Sequence, residues 1–382
     1  MKITGIVCEY NPFHNGHLYH LKKTRENGAT HIVAVMSGNY VQRGDTAVMD
    51  KFERAKLAVK GGADLVIEIP TVYALSSAEF YAKGAIYILD SLGCVDEISF
   101  GSEAGSVSEL EKAAEIADEC SGAPELEEYL KSGMSYPNAI NTMIYSSYGK
   151  KLSNRISDIL ASPNNVLAVE YLKALRRLNS SITPFTIQRK SAAHDSMTVL
   201  DGISSASYIR KCMNEKSDFS GLVPAYVSQA YINAYSAGKT ADISNLERII
   251  IYKLRTSSPE ELREIPDVGQ GLEYRILAAA DKNNLDEIFM SIKTKRYTMA
   301  RIKRILAVTE RGRDILSKAK NTGKIPFATS LSKLAQTSDD AERFAKLEGT
   351  ASDIYALAQT KIGKAQSDYK ARIGIEPDEQ KY

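Results

Sequence analysis

The 382-residue sequence has no tryptophan, only five histidines and four cysteines, and almost no net charge: 49 Lys and Arg against 47 Asp and Glu leave +2. Cys8, Cys94, Cys120 and Cys212 lie far apart with no CxxC pair. That spacing excludes a cysteine zinc site and a disulfide framework, and points to a reducing, cytoplasmic setting. No uninterrupted apolar run approaches the ~18 residues of a membrane-spanning helix, so no membrane partner is expected. The opening apolar stretch is short and meets Glu9, which does not fit a signal peptide. The small net charge argues against a polyanion-binding surface, unless opposite charges are segregated along the chain.

What is present is ordinary globular composition, 43% hydrophobic and 25% charged, which excludes disorder, collagen and a coiled-coil rod. The length suits two domains, or one with an appendage. In the first part, β-rich runs alternate with helical patterns. Strands are expected at Ile3–Glu9, His31–Met36, Asp64–Ile69 and Asp96–Phe100, and helices over about Asn15–Glu26, Asp50–Lys60 and Ser77–Leu92. A further helix near Asn165–Leu178, a strand near Ile182–Gln188 and a helix opening at Ser204-Ser205 follow. This order predicts an α/β, Rossmann-like domain with a parallel sheet and right-handed crossovers. Ligands of such sheets sit beyond the carboxyl ends of the strands, which directs attention to residues 10–17, 37–45 and 100–103. Past Phe219–Pro224 the pattern turns mainly helical, with turn signals at Pro259, Pro266, Gly323 and Pro326. The expected domains are therefore 1–220 and 221–382, with no internal repeat.

The neutral total is a cancellation. Residues 285–325 carry 11 Lys and Arg against 4 acids, a +7 segment that leaves −5 for the other residues. At about 100° per residue, Met299, Ile302, Ile305 and Leu306 share one helical arc. Arg296, Arg301, Lys303 and Arg304 lie opposite it, and Tyr297 falls at the patch edge, where it would stack on a base. With Lys295, these basic residues are the candidate RNA-phosphate contacts, against the plainer reading of a solvated helix face.

The sharpest local signal is His14-Asn15-Gly16-His17, directly after a strand and at a helix start. Free N–H groups there suit a polyphosphate. Two imidazoles in the first turn can donate to charge building on an α-phosphate. A metal site on His17 and His20 is the rival, but the partners that zinc gathers are not nearby. A second signal is Ile203-Ser204-Ser205-Ala206-Ser207-Tyr208-Ile209-Arg210. Its serines can cap a helix or donate to phosphates, and the Arg210 fork follows about one and a half turns later.

Together the two motifs resemble those of the nucleotidyltransferase superfamily, relatives of class I tRNA synthetases. Glu9–His17, Ser37–Asp45, Phe100-Gly101-Ser102-Glu103, Pro163-Asn164-Asn165, Arg189 and His194-Asp195 occur in an order similar to that of the bacterial tRNA(Met) cytidine acetate ligase family, over nearly the whole chain. The stretch Lys190-Ser191-Ala192-Ala193 departs from that family's glycine-rich, aromatic-containing pattern before His-Asp. The resemblance implies that ATP activates acetate as acetyl-adenylate and that the acetyl group passes to N4 of the wobble cytidine of elongator tRNA(Met). It implies an ATP site made of Val7, Cys8, Glu9, Tyr10, Asn11, Pro12, Phe13, His14, Asn15, Gly16, His17, Leu18, Tyr19 and His20, with Gly101, Asn164 and Arg189. His14 and His17 would stabilise the transition state, Ser204, Ser205 and Arg210 would hold the outer phosphates, and Mg²⁺ is expected on those phosphates.

Other residues read more plainly. Cys8 is expected to pack rather than carry a thioester, Lys22 and Lys23 to face solvent, and His31 to be structural. Gln42-Arg43-Gly44-Asp45 is expected to touch substrate or phosphate, with Asp50, Lys51 and Arg54 joining it. Two rivals to the ligase remain at this point. A small-molecule adenylyltransferase would not need the basic helical segment, and a non-catalytic RNA-binding protein would not need an intact His14, Gly16, His17, Ser204, Ser205 and Arg210.

Overall fold

The computed structural model describes residues 1–134, 136–189, 202–294 and 296–311. Five strands form one parallel sheet in the order β5-β2-β1-β6-β7: β1 Ile3–Cys8, β2 His31–Ser37, β5 Leu65–Ile69, β6 Glu97–Ser102 and β7 Thr183–Gln188. All four pairings are parallel, running Cys8 beside Met36 and Ser102 beside Gln188. The chain winds outward one way through β2 and β5, then returns past β1 to β6 and β7. The crevice between the ends of β1 and β6 is therefore the switch point where such sheets hold ligands.

Strand β2 is apolar almost throughout because both of its faces are covered. Val33 and Val35 join the apolar layer formed with Leu89, Ile98 and Leu172, whereas Ile32, Ala34 and Met36 join the opposite layer with Phe13 and Leu21. This is the period-two alternation of a strand buried on both sides. The helix Ala78–Ser91 presses so closely on β1 that a Cβ on Gly5 would meet the Leu89 side chain at 2.6 Å. The second layer runs on through Leu222, Val223, Val227 and Tyr231, so the helix Ala225–Ser236 packs against the sheet unit. A third core, including Ile250, Leu254, Ile276, Ile288, Ile302 and Leu306, holds the helices from 247 to 311 together.

Two features depart from the expected pattern. The loop after β2 contains a small antiparallel hairpin, β3 Tyr40–Val41 and β4 Asp45–Thr46. Between β6 and β7 the chain inserts helices at Val107–Gly122, Glu125–Lys131 and Tyr136–Leu160, the last interrupted at Gly149 where φ is 77°. Among the described residues no helix is long and apolar enough to cross a membrane.

Candidate functional site

The first helix, Asn15–Glu26, starts where β1 ends, and its opening is fixed by histidines. His14 is the N-cap: its Nδ1 accepts the Gly16 N–H at 3.1 Å, while the His17 Nδ1 accepts the His14 N–H at 3.2 Å. This is a capping box made of two imidazoles instead of a hydroxyl and a carboxylate. A backbone N–H can only donate, so both Nδ1 atoms are unprotonated and each neutral ring carries its proton on Nε2. The two rings stack 3.6 Å apart, leaving both Nε2–H groups as donors for a ligand. A Cβ on Gly16 would lie 2.9 Å from the His14 ring and 3.4 Å from Ile203, so Gly16 lets the ring lie flat over the helix start.

The distant serine motif meets this turn. Asn15 Nδ2 donates at 3.0 Å to the carbonyls of both Gly202 and Gly221, and the Arg210 guanidinium donates to the Asn11 carbonyl at 2.6 Å. Ser205 caps the helix Ala206–Glu215 by accepting the Tyr208 N–H at 3.1 Å. Ser204 is different. Its hydroxyl is buried with no hydrogen-bond partner among the described residues, a costly state that a bound phosphate oxygen would relieve.

The opposite wall comes from the ends of β6 and β7. Arg189, just past β7, bonds Asn164 at 3.2 Å and pairs with Glu103 at 3.9 Å. Glu103 accepts from Asn164 Nδ2 at 2.6 Å and from the Asn165 N–H at 3.0 Å. Gly101 sits under the Arg189 stem, 3.4 Å from where its Cβ would be. Gly101, Asn164 and Arg189, scattered in the sequence, thus form one edge of the crevice.

The electrostatics suit a polyanion. Burial, followed by the charges of Arg189 and Arg210, lowers His14 to about 3 from its ordinary 6.5. Burial and then its neighbours His14 and Arg189 also take His17 well below that value. Burial and then Arg189 take His20 to about 4. All three rings are neutral at neutral pH, so the fixed positive charge is guanidinium. Because these folded values lie below the unfolded one, the unfolded chain binds more protons in acid. Stability is then intact above about pH 6.5 and falls as the pH drops toward 4 and 3. The melting temperature is expected to decline from pH 6.5 to 5, with a shallower slope in His20→Gln; equal slopes in the two proteins would contradict the assignment.

The other residues of the expected ATP segment divide by environment. Tyr10 and Phe13 are buried, their rings edge-on at 4.9 Å, and Tyr10 also meets the His17 ring at 4.8 Å. Cys8 is buried, donates to the Val35 carbonyl at 3.7 Å and is raised by burial, as packing rather than thioester chemistry requires. Val7 packs against the first core. Asn11 accepts the Val48 N–H at 2.8 Å and precedes Pro12 through a cis peptide bond. His20 bonds the Ser99 hydroxyl at 2.9 Å, so the metal reading loses one of its nitrogens. Leu18 is partly exposed, and Tyr19 lies under the Lys23 ammonium at 5.8 Å. Lys22 is exposed and Lys23 pairs with Glu26, the solvated face expected. His31 opens β2 and bonds Thr30.

Three expectations need correction. Arg54 does not reach for phosphate: it is 0% exposed and donates to the carbonyls of Glu9, Ser37, Gly38 and Met49. Asp50 caps the helix Lys51–Lys60, and Lys51 pairs with Glu68. Tyr297 is no stacking platform. It is buried in the third core, with the Arg296 and Arg301 guanidinium groups 6.0 and 5.3 Å from its ring centre. The hairpin residues Gln42, Gly44 and Asp45 meet protein: Asp45 pairs with Lys303 at 3.5 Å and Arg304 donates to the Gln42 carbonyl at 3.4 Å. On the basic helix Met299–Arg311, Ile302, Ile305 and Leu306 are buried as the periodicity predicts. Arg301 reaches the Asp267 carbonyl at 2.6 Å, and Arg296 reaches Gln270. The expectations for Lys190 to Asp195, Lys295, Arg313, Lys318, Lys320 and Lys324 lie outside the described residues, as does the Arg311 side chain.

The residues missed from sequence are Glu103 and Asn165, which brace Asn164 and Arg189; Asn15 was among the expected ATP-site residues, and the structure adds that it ties the two motifs together. Glu103 stood within the Phe100–Glu103 motif, and Asn165 beside Asn164.

This geometry has parallels among known proteins. A family model described as HIGH Nucleotidyl Transferase matches residues 1–309. The tRNA(Met) cytidine acetate ligase of Thermoanaerobacter sp. (strain X514) is 39% identical, aligned over 97% of this chain and 98% of its own. The protein of the same name from Alkaliphilus metalliredigens is 35% identical over 97% of each. Among solved structures, Thermotoga maritima TmcAL bound with alpha-thio ATP is similar with a TM-score of 0.74 and 32% identity, covering 85% of this chain and 78% of that one. Its apo form gives 0.77 and 29%, covering 97% and 94%. With a full-length likeness on top of the imidazole-capped turn and its arginine walls, the chain belongs to the HIGH nucleotidyl transferases and, within them, to the tRNA(Met) cytidine acetate ligase family.

Proposed function

We propose that the protein joins acetate to ATP as acetyl-adenylate and passes the acetyl group to N4 of the wobble cytidine of elongator tRNA(Met). The observation that carries the first step is the convergence at the switch point of two neutral Nε2–H donors, on His14 and His17, with Arg189, Arg210 and the unsatisfied Ser204 hydroxyl. An acetate oxygen attacks the α-phosphorus, the bond to the β-phosphate oxygen breaks, and pyrophosphate leaves. Negative charge grows on the phosphate oxygens, where neutral N–H donors stabilise it without losing a proton. Acetate brings its own nucleophile, so the chain supplies position and field rather than a covalent group. In the second step the N4 lone pair attacks the acetyl carbon, AMP departs with the C–O electrons, and N4 gives up a proton.

Mg²⁺ supplies charge neutralisation when it is carried in on the ATP phosphates. The donor set fits that arrangement: the crevice offers N–H and guanidinium groups to phosphate oxygens, while Glu9 is bonded to Gln42 and Glu103 to Asn164 and Asn165. The basic residues Arg296, Arg301, Lys303 and Arg304, with Lys295, are proposed as the tRNA contacts, on a helical unit that follows the adenylating unit. The test is exchange of labelled pyrophosphate into ATP. Exchange is expected only when acetate is present, and labelled acetate is expected in tRNA(Met) when tRNA is added. Acetate-independent exchange, or none with any short carboxylic acid, would remove the first step.

A further inference from the structure

We infer that the hairpin Tyr40–Thr46 sets the register between the basic helix and the adenylating site, with Gly44 as its positioning residue. The inference rests on the tRNA reading above. The hairpin is tied on one side to the ATP turn: the Gln42 N–H donates to Glu9 Oε1 at 2.8 Å, and Glu9 directly follows β1. On the other side it meets the helix Met299–Arg311. The Gln42 carbonyl accepts from Arg304 at 3.4 Å and Asp45 pairs with Lys303 at 3.5 Å. Tyr40, Leu75 and Ala307 close a small apolar cluster across the junction. One residue, Gln42, thus bonds to both the ATP turn and the basic helix.

Magnitudes decide which contact fixes the spacing. The Asp45–Lys303 pair is about a third exposed on each side, 34% and 27%, and such pairs contribute at most about 1 kcal/mol. The Arg304 bond is long. Gly44, by contrast, brings the hairpin turn against helix backbone. A Cβ there would lie 2.3 Å from the Arg304 nitrogen and 2.5 Å from the Lys303 carbonyl carbon, neither of which can swing aside like a side-chain tip. Its φ of +78° also falls in the left-handed region that favours glycine. Any side chain at 44 must therefore push the helix away from the sheet unit.

The two chemical steps differ in what that displacement costs. Adenylation joins ATP and acetate, which both sit at the crevice. Transfer needs a base, delivered by RNA held on the helical unit, within bonding distance of the acyl carbon. A shift of about 1 Å in such a geometry costs about 10²-fold. Gly44→Val is therefore expected to keep acetate-dependent pyrophosphate exchange within about twofold of the native protein. Single-turnover acetyl transfer at saturating tRNA(Met) should fall at least about 30-fold, and tRNA affinity should change less than about threefold, because every basic side chain remains. Gly44→Ala should show the same split to a smaller degree. A purely structural role would move exchange and transfer together, and that outcome overturns the inference, as does wild-type transfer by Gly44→Val. If both variants fail to fold, as judged by thermal melting, the hairpin acts on stability and the inference also falls. Failure of the underlying reading is separable, since it would appear as absent exchange or absent transfer in the unsubstituted protein.

Discussion

His14→Asn is expected to lower acetate-dependent pyrophosphate exchange by about 10²–10³-fold while leaving the melting temperature nearly unchanged. The choice of asparagine matters. His14 does two jobs, capping the first helix through Nδ1 and offering an Nε2–H donor to the nucleotide. Alanine would remove both, and the lost cap alone would destabilise by about 1 kcal/mol. Asparagine is a good N-cap, so its side-chain oxygen can still accept the Gly16 N–H, yet it is too short to place a donor where Nε2 stands. At position 17, glutamine plays the same part, because it can reach back to the N-cap N–H as a capping-box residue does. His17→Gln is expected to cost exchange to a similar extent. In both variants tRNA affinity should be retained. A His14→Asn protein that exchanges pyrophosphate at the native rate would remove the imidazole from the chemistry and leave it as a helix cap. Because burial already holds His14 at about 3, the native rate should also show no acid limb near pH 6.5 from loss of a neutral histidine.

How much of this was legible in the sequence depends on how local each feature is. The strands β1, β2, β5, β6 and β7 were visible because β-rich runs alternate with helical periodicity, and parallel order follows from that alternation. His14-Asn15-Gly16-His17 and the serine motif were visible as short patterns next to a strand and a helix start. Their junction through Asn15 and Arg210 was not, since it spans about 190 residues of chain and depends on how the layers close. The imidazole capping box was hidden because His-x-x-His does not match the usual hydroxyl-x-x-carboxylate signature. The hairpin was missed because its strands are two residues each, too short to show alternation. Arg54 and Tyr297 were misread for one common reason. Both were assigned from helical position and residue type, whereas burial against distant elements decided their roles. For Tyr297, the arginines expected beside an RNA base lie over its ring instead.

Arg54→Met is expected to lower stability by about 4 kcal/mol and to abolish adenylation with it. The guanidinium is fully buried yet, among the described residues, has no carboxylate partner in hydrogen-bond contact; its donors go to four backbone carbonyls. Those carbonyls belong to Glu9 at the end of β1, to Ser37 and Gly38 at the end of β2, and to Met49 before the next helix. Glu9 and Gly38 directly follow the ends of β1 and β2, where the chain leaves the sheet. One planar cation with five donors satisfies all four carbonyls at once, which lysine cannot do. Burial lowers its pKa, an effect opposed by the fields of Cys8, Glu9, Asp50 and Glu68. Methionine would keep most of the volume and leave the four carbonyls unpaired, at about 1–3 kcal/mol each before relaxation and water entry. The functional loss follows from where those carbonyls are. Glu9 begins the turn that leads to His14, and Gly38 packs so tightly on Glu68 that a Cβ there would clash with its carboxylate at 2.1 Å. Releasing both ends frees the ATP turn and the hairpin together. Thermal melting should show a fall of about 10 °C, and exchange should be absent even at temperatures where the variant remains folded. A variant that melts within a degree or two of the native protein would mean that water replaces the guanidinium at these carbonyls. An active but destabilised variant would mean that the turn holds its shape without Arg54, through the His14 and His17 cap alone.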